Sequence, residues 1–233
     1  MLVLQYIARF LEERGLDQCF GLSGANIEDL FFEIHKEDKV KIILAKTEYA
    51  ASMMALGQYL ANKKIPVVMT TSGPGILNTI PVLAEAFSSD LPMVLISGLI
   101  PQGFEGRGGF QDSSGKGRSL KIEPMVREVT GFCHIINSAD EIPRALHQAF
   151  LSAESTKKPS AIFIPKNIFL DSLQDSSFEQ AITKNEFVET GRVLSLLQRW
   201  ECFTEAPVVI LGEKLVHLKS LDKLNRLLEK LGA

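Results

Sequence analysis

Two stretches of the sequence carry residue types able to do chemistry. Thr71-Ser72-Gly73-Pro74-Gly75-Ile76-Leu77-Asn78 follows an apolar run and precedes a helical pattern. Its glycines let backbone approach a ligand closely, and a helix opening there offers unpaired amides to anionic or polar groups. The same residues also fit a plain strand-to-helix turn. Glu48 is the second candidate. It comes after the apolar run Ile42-Ile43-Leu44 and opens a helical pattern, which sets a carboxylate at the carboxyl end of what reads as a buried strand. Open α/β sheets bind ligands at that edge, and a carboxylate drawn partly out of water suits proton transfer. An acidic residue in a first helical turn is equally served by the helix dipole.

Several familiar sites are excluded. A nicotinamide-nucleotide fingerprint needs glycine where Asn78 stands and an acidic residue after the next strand, where Ser97-Gly98 stands. A P-loop fails because Gly115-Lys116 is followed by Gly117, and Phe110 occupies the position of its first glycine. No Gly-x-Ser-x-Gly occurs, and His35, His134, His147 and His217 have no metal-ligand spacing. Cys19, Cys133 and Cys202 lie too far apart in sequence to suggest a disulfide framework or a cysteine zinc site.

The elements that must position these residues alternate in period. Leu2, Tyr6, Phe10 and Leu11 recur at helical spacing before Gly15, and Cys19-Phe20-Gly21-Leu22 reads as a strand. Helical spacing returns in Ile27, Leu30, Phe31 and Ile34, followed by a strand over 40–44 and a helix over 49–61. A strand over 66–71, a helix over 76–88 and a strand over 93–96 come next. Ile142, Leu146, Ala149 and Phe150 mark a further helix and 161–164 a further strand. Apolar strands alternating with helices predict an α/β fold: an open parallel sheet covered by helices on both faces. Residues 103–119, with six glycines, read as a mobile surface loop.

Length adds a constraint. The 233 residues make one full domain and about half of another, taking ~150 residues per domain. The spacing predicts a first domain over 1–170, a linker over 171–190 and the start of a second α/β domain over 191–233. The polar, aperiodic stretch 166–189 reads as chain leaving the first domain after Pro165. Beyond it come a helix (Val193, Leu196, Leu197, Trp200), a strand over 207–211 and a last helix (Leu221, Leu224, Leu228, Leu231). With 28 acidic against 25 basic side chains there is no electrostatic footprint for nucleic acid. No apolar run is long enough to span a bilayer, and Arg9 and Glu12 interrupt the N-terminal one, so a cytoplasmic setting is expected.

Taken together, four motifs point further. Phe20-Gly21-x-x-Gly24-Ala25, Glu48, Thr71-Ser72-Gly73-Pro74-Gly75-x-x-Asn78 and Gly109-Phe110-Gln111-Asp112 occur in the order and spacing of one family. The sequence resembles the N-terminal pyrimidine-binding domain of thiamine-diphosphate enzymes, most closely the large catalytic subunit of acetolactate synthase. The match covers about 1–171 and continues weakly from about Gly191. The resemblance implies that Glu48 hydrogen-bonds N1′ of the cofactor's aminopyrimidine and thereby promotes loss of the C2 proton of its thiazolium. Thr71, Pro74 and Asn78 fall where the family's turn lines the cofactor pocket. Gly24 and Ala25 match the small pair that passes close to the pyrimidine. Gln111 matches a catalytic glutamine brought to the reacting centre by a flexible loop.

The implied function is that of a 2-oxo-acid decarboxylating carboligase of the pyruvate-to-2-acetolactate type. Departures bear on the substrate. Thr47 and Tyr49 flank the glutamate where acetolactate synthases usually have His and Gln, and Asp112 stands for the family's Glu. The Ser-Gly-Pro-Gly turn is shared by benzoylformate-type and oxalyl-CoA decarboxylases. The family binds diphosphate and magnesium through Gly-Asp-Gly and a later Asn in a separate C-terminal domain, and no aspartate here lies between two glycines. The implied partners are therefore a second copy, as homodimer or tetramer, or another chain carrying the diphosphate-binding domain. The chain alone is expected to lack carboligase activity. FAD finds no support in these residues. A pyrimidine-domain subunit of a split decarboxylase, and a non-catalytic binding or oligomerisation module, are the alternatives.

Overall fold

The computed structural model describes residues 1–173 and, further on, four exposed helical positions: Asp222, Asn225, Arg226 and Glu229. Residues 1–173 belong to the first of two units into which the chain divides, Met1–Gln180 and Ala181–Ala233. The helices and strand expected over 191–233, and all of the expected linker past Leu173, lie outside the described residues, apart from those four positions.

The elements run α1 (Val3–Glu13), β1 (Gln18–Gly21), α2 (Glu28–Glu37), β2 (Lys41–Leu44), α3 (Glu48–Asn62), β3 (Val67–Thr70), α4 (Pro74–Leu77), α5 (Ile80–Ser88), β4 (Val94–Leu99), α6 (Ile122–Arg127), β5 (Phe132–Ile135), α7 (Ile142–Thr156) and β6 (Ser160–Pro165). All six strands form one parallel sheet in the order β2-β1-β3-β4-β6-β5. Alternate residues of each strand face opposite sides, and each side has its own core. On one, Cys19, Met69, Ile96 and Ile162 meet Ile7, Leu11, Leu30 and Phe150 of α1, α2 and α7. On the other, Phe20, Val68, Leu95 and Phe163 meet Ala51, Ala55, Leu83 and Val126 of α3, α5 and α6. This is the expected α/β sheet covered on both faces.

The strand order puts a topological switch between β1 and β3. The chain leaves β1 toward β2 on one side and leaves β3 toward β4 on the other, which opens a crevice at the carboxyl ends of the two strands. The loop after β1 crosses β4 at Gly98, where a Cβ would stand only 1.7 Å from the Asn26 carbonyl oxygen. Only glycine allows that crossing.

Three expectations need correction. The helix expected over 76–88 is broken. The single turn α4 ends at Asn78, and α5 restarts after Thr79, with Thr79 Oγ1 donating back to the Ile76 carbonyl at 2.7 Å. Strand β2 is not buried: it is the sheet edge, half-exposed, with Leu44 open to solvent. The chain also does not leave the domain after Pro165. Lys166–Leu170 forms a 3-10 turn with Ile168 and Phe169 fully buried, and Leu173 N–H then donates to the Met1 carbonyl. Ile168-Phe169-Leu170 is too short an apolar run, between Lys166-Asn167 and the polar stretch after it, to mark that turn in the sequence. Helix α6 and strand β5, too short for a periodic signal, fall between the elements the spacing predicts.

Candidate active site

The candidate residues converge on the crevice between β1 and β3. Thr47 caps α3, its Oγ1 accepting the Ala50 amide at 3.1 Å, so Glu48 is the first helical residue. Although β2 is an edge strand, α3 packs back over β1 and β3 and carries Glu48 inward. The residue is only 7% exposed.

Asn78, at the break between α4 and α5, donates from Nδ2 to Glu48 Oε2 at 3.0 Å. The other carboxylate oxygen, Oε1, takes no hydrogen bond from the described protein and borders Gly75, where a Cβ would stand 3.4 Å from it. One oxygen is thus anchored and the other remains open to a ligand donor. A buried carboxylate in this state is completed by whatever polar group enters beside it.

The turn itself does not act as a helix N-terminus for anions. Helix α4 has four residues, Pro74 has no N–H, and the Gly75 amide already donates to the Ser72 carbonyl at 3.3 Å. Its part is close packing: Pro74 sets the turn and is itself exposed, and its carbonyl accepts the Asn78 amide at 3.0 Å.

Thr71 is the hub of a second group. Its hydroxyl accepts the Asn26 amide at 3.3 Å and donates to Gln111 Oε1 at 3.0 Å. Asn26 in turn donates from Nδ2 to Ser72 Oγ at 2.7 Å. Thr71 also packs on Gly24, where a Cβ would lie 2.7 Å from the threonine side chain. Ala25 is exposed, with its carbonyl held by Lys166 Nζ at 2.5 Å; the same ammonium pairs with Glu28 at 2.7 Å. Three loops therefore meet at one threonine.

The structure brings Glu48, Gly75 and Asn78 into one group and Gly24, Thr71 and Gln111 into another, both at the carboxyl edge. Asn26, Ser72 and Lys166 complete the framework and are absent from the sequence-based set. A signal existed only for Asn26 and Ser72, which adjoin Ala25 and Thr71 within the motifs. Lys166 lies 141 positions from Ala25, beyond any local pattern.

The thiamine pyrophosphate enzyme N-terminal TPP-binding domain model matches residues 1–117. The chain is also 32% identical over 165 residues to the mitochondrial acetolactate synthase catalytic subunit of Saccharomyces cerevisiae, covering 70% of this chain. This chain belongs to the thiamine pyrophosphate enzyme family.

Other members of that family match comparably. The acetolactate synthase isozyme 3 large subunit of Escherichia coli is 30% identical over 70% of the chain. The acetolactate synthase large subunit of Buchnera aphidicola is 27% identical over 97% of it and is covered over 40% of its own length. The chain spans 23% of the length of the yeast relative and 28% of that of the Escherichia coli one. Among the described residues no cluster of His, Cys, Asp and Glu could hold a metal ion, and no helix is long and apolar enough to cross a membrane. Cys19 and Cys133 are buried, and burial pushes both thiols up to about 12, which keeps them from acting as nucleophiles.

Proposed function

We propose that this chain supplies the aminopyrimidine half of a thiamine diphosphate site in a 2-oxo-acid decarboxylating carboligase of the acetolactate synthase type. The observation that carries the reading is the buried Glu48 carboxylate with Oε2 fixed by Asn78 and Oε1 open beside Gly75. A ring nitrogen bearing a proton finds its acceptor there, in a setting dry enough for the bond to be strong.

When bound, the cofactor supplies a nucleophilic carbon and an electron sink for decarboxylation. The protein's residues do the rest. Glu48 holds or moves the proton at the pyrimidine nitrogen. Asn78 keeps the carboxylate from turning away. Gly24, packed on Thr71, lets the chain pass close to the ring, and the exposed Ala25 and Pro74 border it. Gln111, with Oε1 occupied by Thr71, keeps its Nε2 donors for a substrate carbonyl or carboxylate. Thr47, Tyr49 and Asp112 depart from the acetolactate synthase pattern and leave the choice of 2-oxo acid open.

The diphosphate and its magnesium ion would be held outside these residues, by a chain bearing a diphosphate-binding domain. Large apolar side chains near the site in sequence support that reading. Leu44, Tyr49, Met53 and Phe110 are 45% or more exposed, a surface suited to cover by protein.

The test is titration of the purified chain with thiamine diphosphate, followed by amide NMR signals of Thr71, Gly75 and Asn78. Those signals are expected to shift, with the Kd raised tenfold or more by Glu48→Gln. Absence of shifts, or an unchanged Kd in the variant, overturns the reading.

A further inference from the structure

The loop that carries Gln111 is held in an uncommon backbone conformation. Gln111 has left-handed backbone, φ +62°, without being glycine. Such a residue persists only where its surroundings hold it. On one side it lies against Gly73, where a Cβ would be 3.2 Å from the Gln111 carbonyl oxygen. On the other side stands Asp112. Its Oδ2 accepts the Gly106 amide at 2.7 Å and its Oδ1 accepts the Ser114 amide at 2.9 Å. Gly106 precedes Gln111 and Ser114 follows it, so one carboxylate clamps the two limbs of the loop around the glutamine. Ser114 is tied further by its bridge to Lys121, and the Gly115 amide donates to the Leu120 carbonyl at 3.0 Å.

We propose that Asp112 is a positioning residue: by clamping Gly106 and Ser114 it holds Gln111 in left-handed backbone, so that Oε1 meets Thr71 and Nε2 faces the site. The proposal rests on the reading of Gln111 as a substrate-facing group, but its structural core does not. A short side chain is required, because the bond to Ser114 reaches only two residues along the chain. A neutral amide cannot replace it, because two backbone N–H groups point at its two oxygens and an amide nitrogen would face one of them. Burial by itself would raise the Asp112 carboxyl, and the hydrogen bonds from Gly106, Ser114 and Ser119 bring it below the ordinary value.

The experiment compares the full chain with Asp112→Asn and Asp112→Ala. Arg107, Lys116 and Arg118 are exposed trypsin sites within the loop. Cleavage there is expected to accelerate about tenfold in Asp112→Asn and further in Asp112→Ala, while the thermal midpoint stays at the wild-type value. The Gln111 side-chain amide signals, assigned by their loss in Gln111→Ala, are expected to move in both variants; a residue serving the loop alone would leave them in place. Unchanged loop cleavage in Asp112→Ala, or unmoved Gln111 signals, overturns the proposal. Cofactor titration of the same variants reads the proposed function separately: loss of loop order with thiamine diphosphate still bound sinks neither, whereas no binding by wild type sinks the functional reading alone.

Discussion

The Asn78 side chain anchors Glu48, Nδ2 to Oε2 at 3.0 Å, from a position thirty residues further along the chain. The contact exists because the helix after β3 is broken. A continuous helix through Asn78 and Thr79 would carry α5 straight on; the break leaves Asn78 at the end of α4, facing the start of α3.

Asn78→Ala therefore frees a buried carboxylate. Hydrogen bonds to charged groups contribute about 1.5–3 kcal/mol. The lower end of that range corresponds to weakening of thiamine diphosphate affinity by about tenfold, read by the same NMR titration, with the fold unchanged by circular dichroism.

Thr71→Val keeps the shape of the hub and removes its hydroxyl. The buried Asn26 amide then loses its acceptor and Gln111 its donor. An unsatisfied buried group costs about 1–3 kcal/mol, and chemical denaturation is expected to show a loss of that size. Gln111 side-chain signals are expected to broaden or shift in the same variant.

Two glycines should respond in opposite senses. Gly98→Ala drives a Cβ into the Asn26 carbonyl, and overpacking of this kind costs at least about 1–3 kcal/mol. Gly57→Ala, inside α3 with open space around it, is expected to stabilise by up to about 1 kcal/mol through helix propensity. Thermal unfolding of the two variants against wild type checks the pair.

These contrasts mark what was legible in the sequence. Alternating apolar runs revealed the parallel sheet, because strands with helices on both faces must be apolar throughout. Glu48, Thr71, Asn78 and Gln111 were legible as motif positions, and the fold brings them to one sheet edge. The break at Asn78 was not, since Ile76, Ile80 and Leu83 keep helical spacing across it. Pro81, at the start of α5, marks where the second helix begins only once the break is known. Strand β2 misled because Ile42-Ile43-Leu44 has the composition of a buried strand while standing at the edge. Asn26 and Lys166 act through contacts of 45 and 141 positions' separation, which only the assembled sheet creates.

Acid sensitivity has a separate local source. Burial raises the Glu141 carboxyl, but bonds from His134 at 2.9 Å and from the Asn137 amide bring it below the usual range. A carboxyl lowered in the folded state stabilises above its unfolded pKa, and that contribution disappears as pH falls through the folded value. Both partners are more than a third exposed, so the pair is worth under about 1 kcal/mol. Glu141→Gln is expected to lower the thermal midpoint slightly at pH 7 and to match wild type at pH 3.

The most direct test concerns the proton that Glu48 is proposed to govern. Exchange of the thiazolium C2 proton of thiamine diphosphate for deuterium is followed by NMR with the chain and magnesium present. The account predicts faster exchange with wild type than for free cofactor, and a loss of about 100-fold or more of that acceleration in Glu48→Gln, the scale of acid–base catalysis. Equal exchange rates for wild type and Glu48→Gln, with cofactor bound to both, would contradict it.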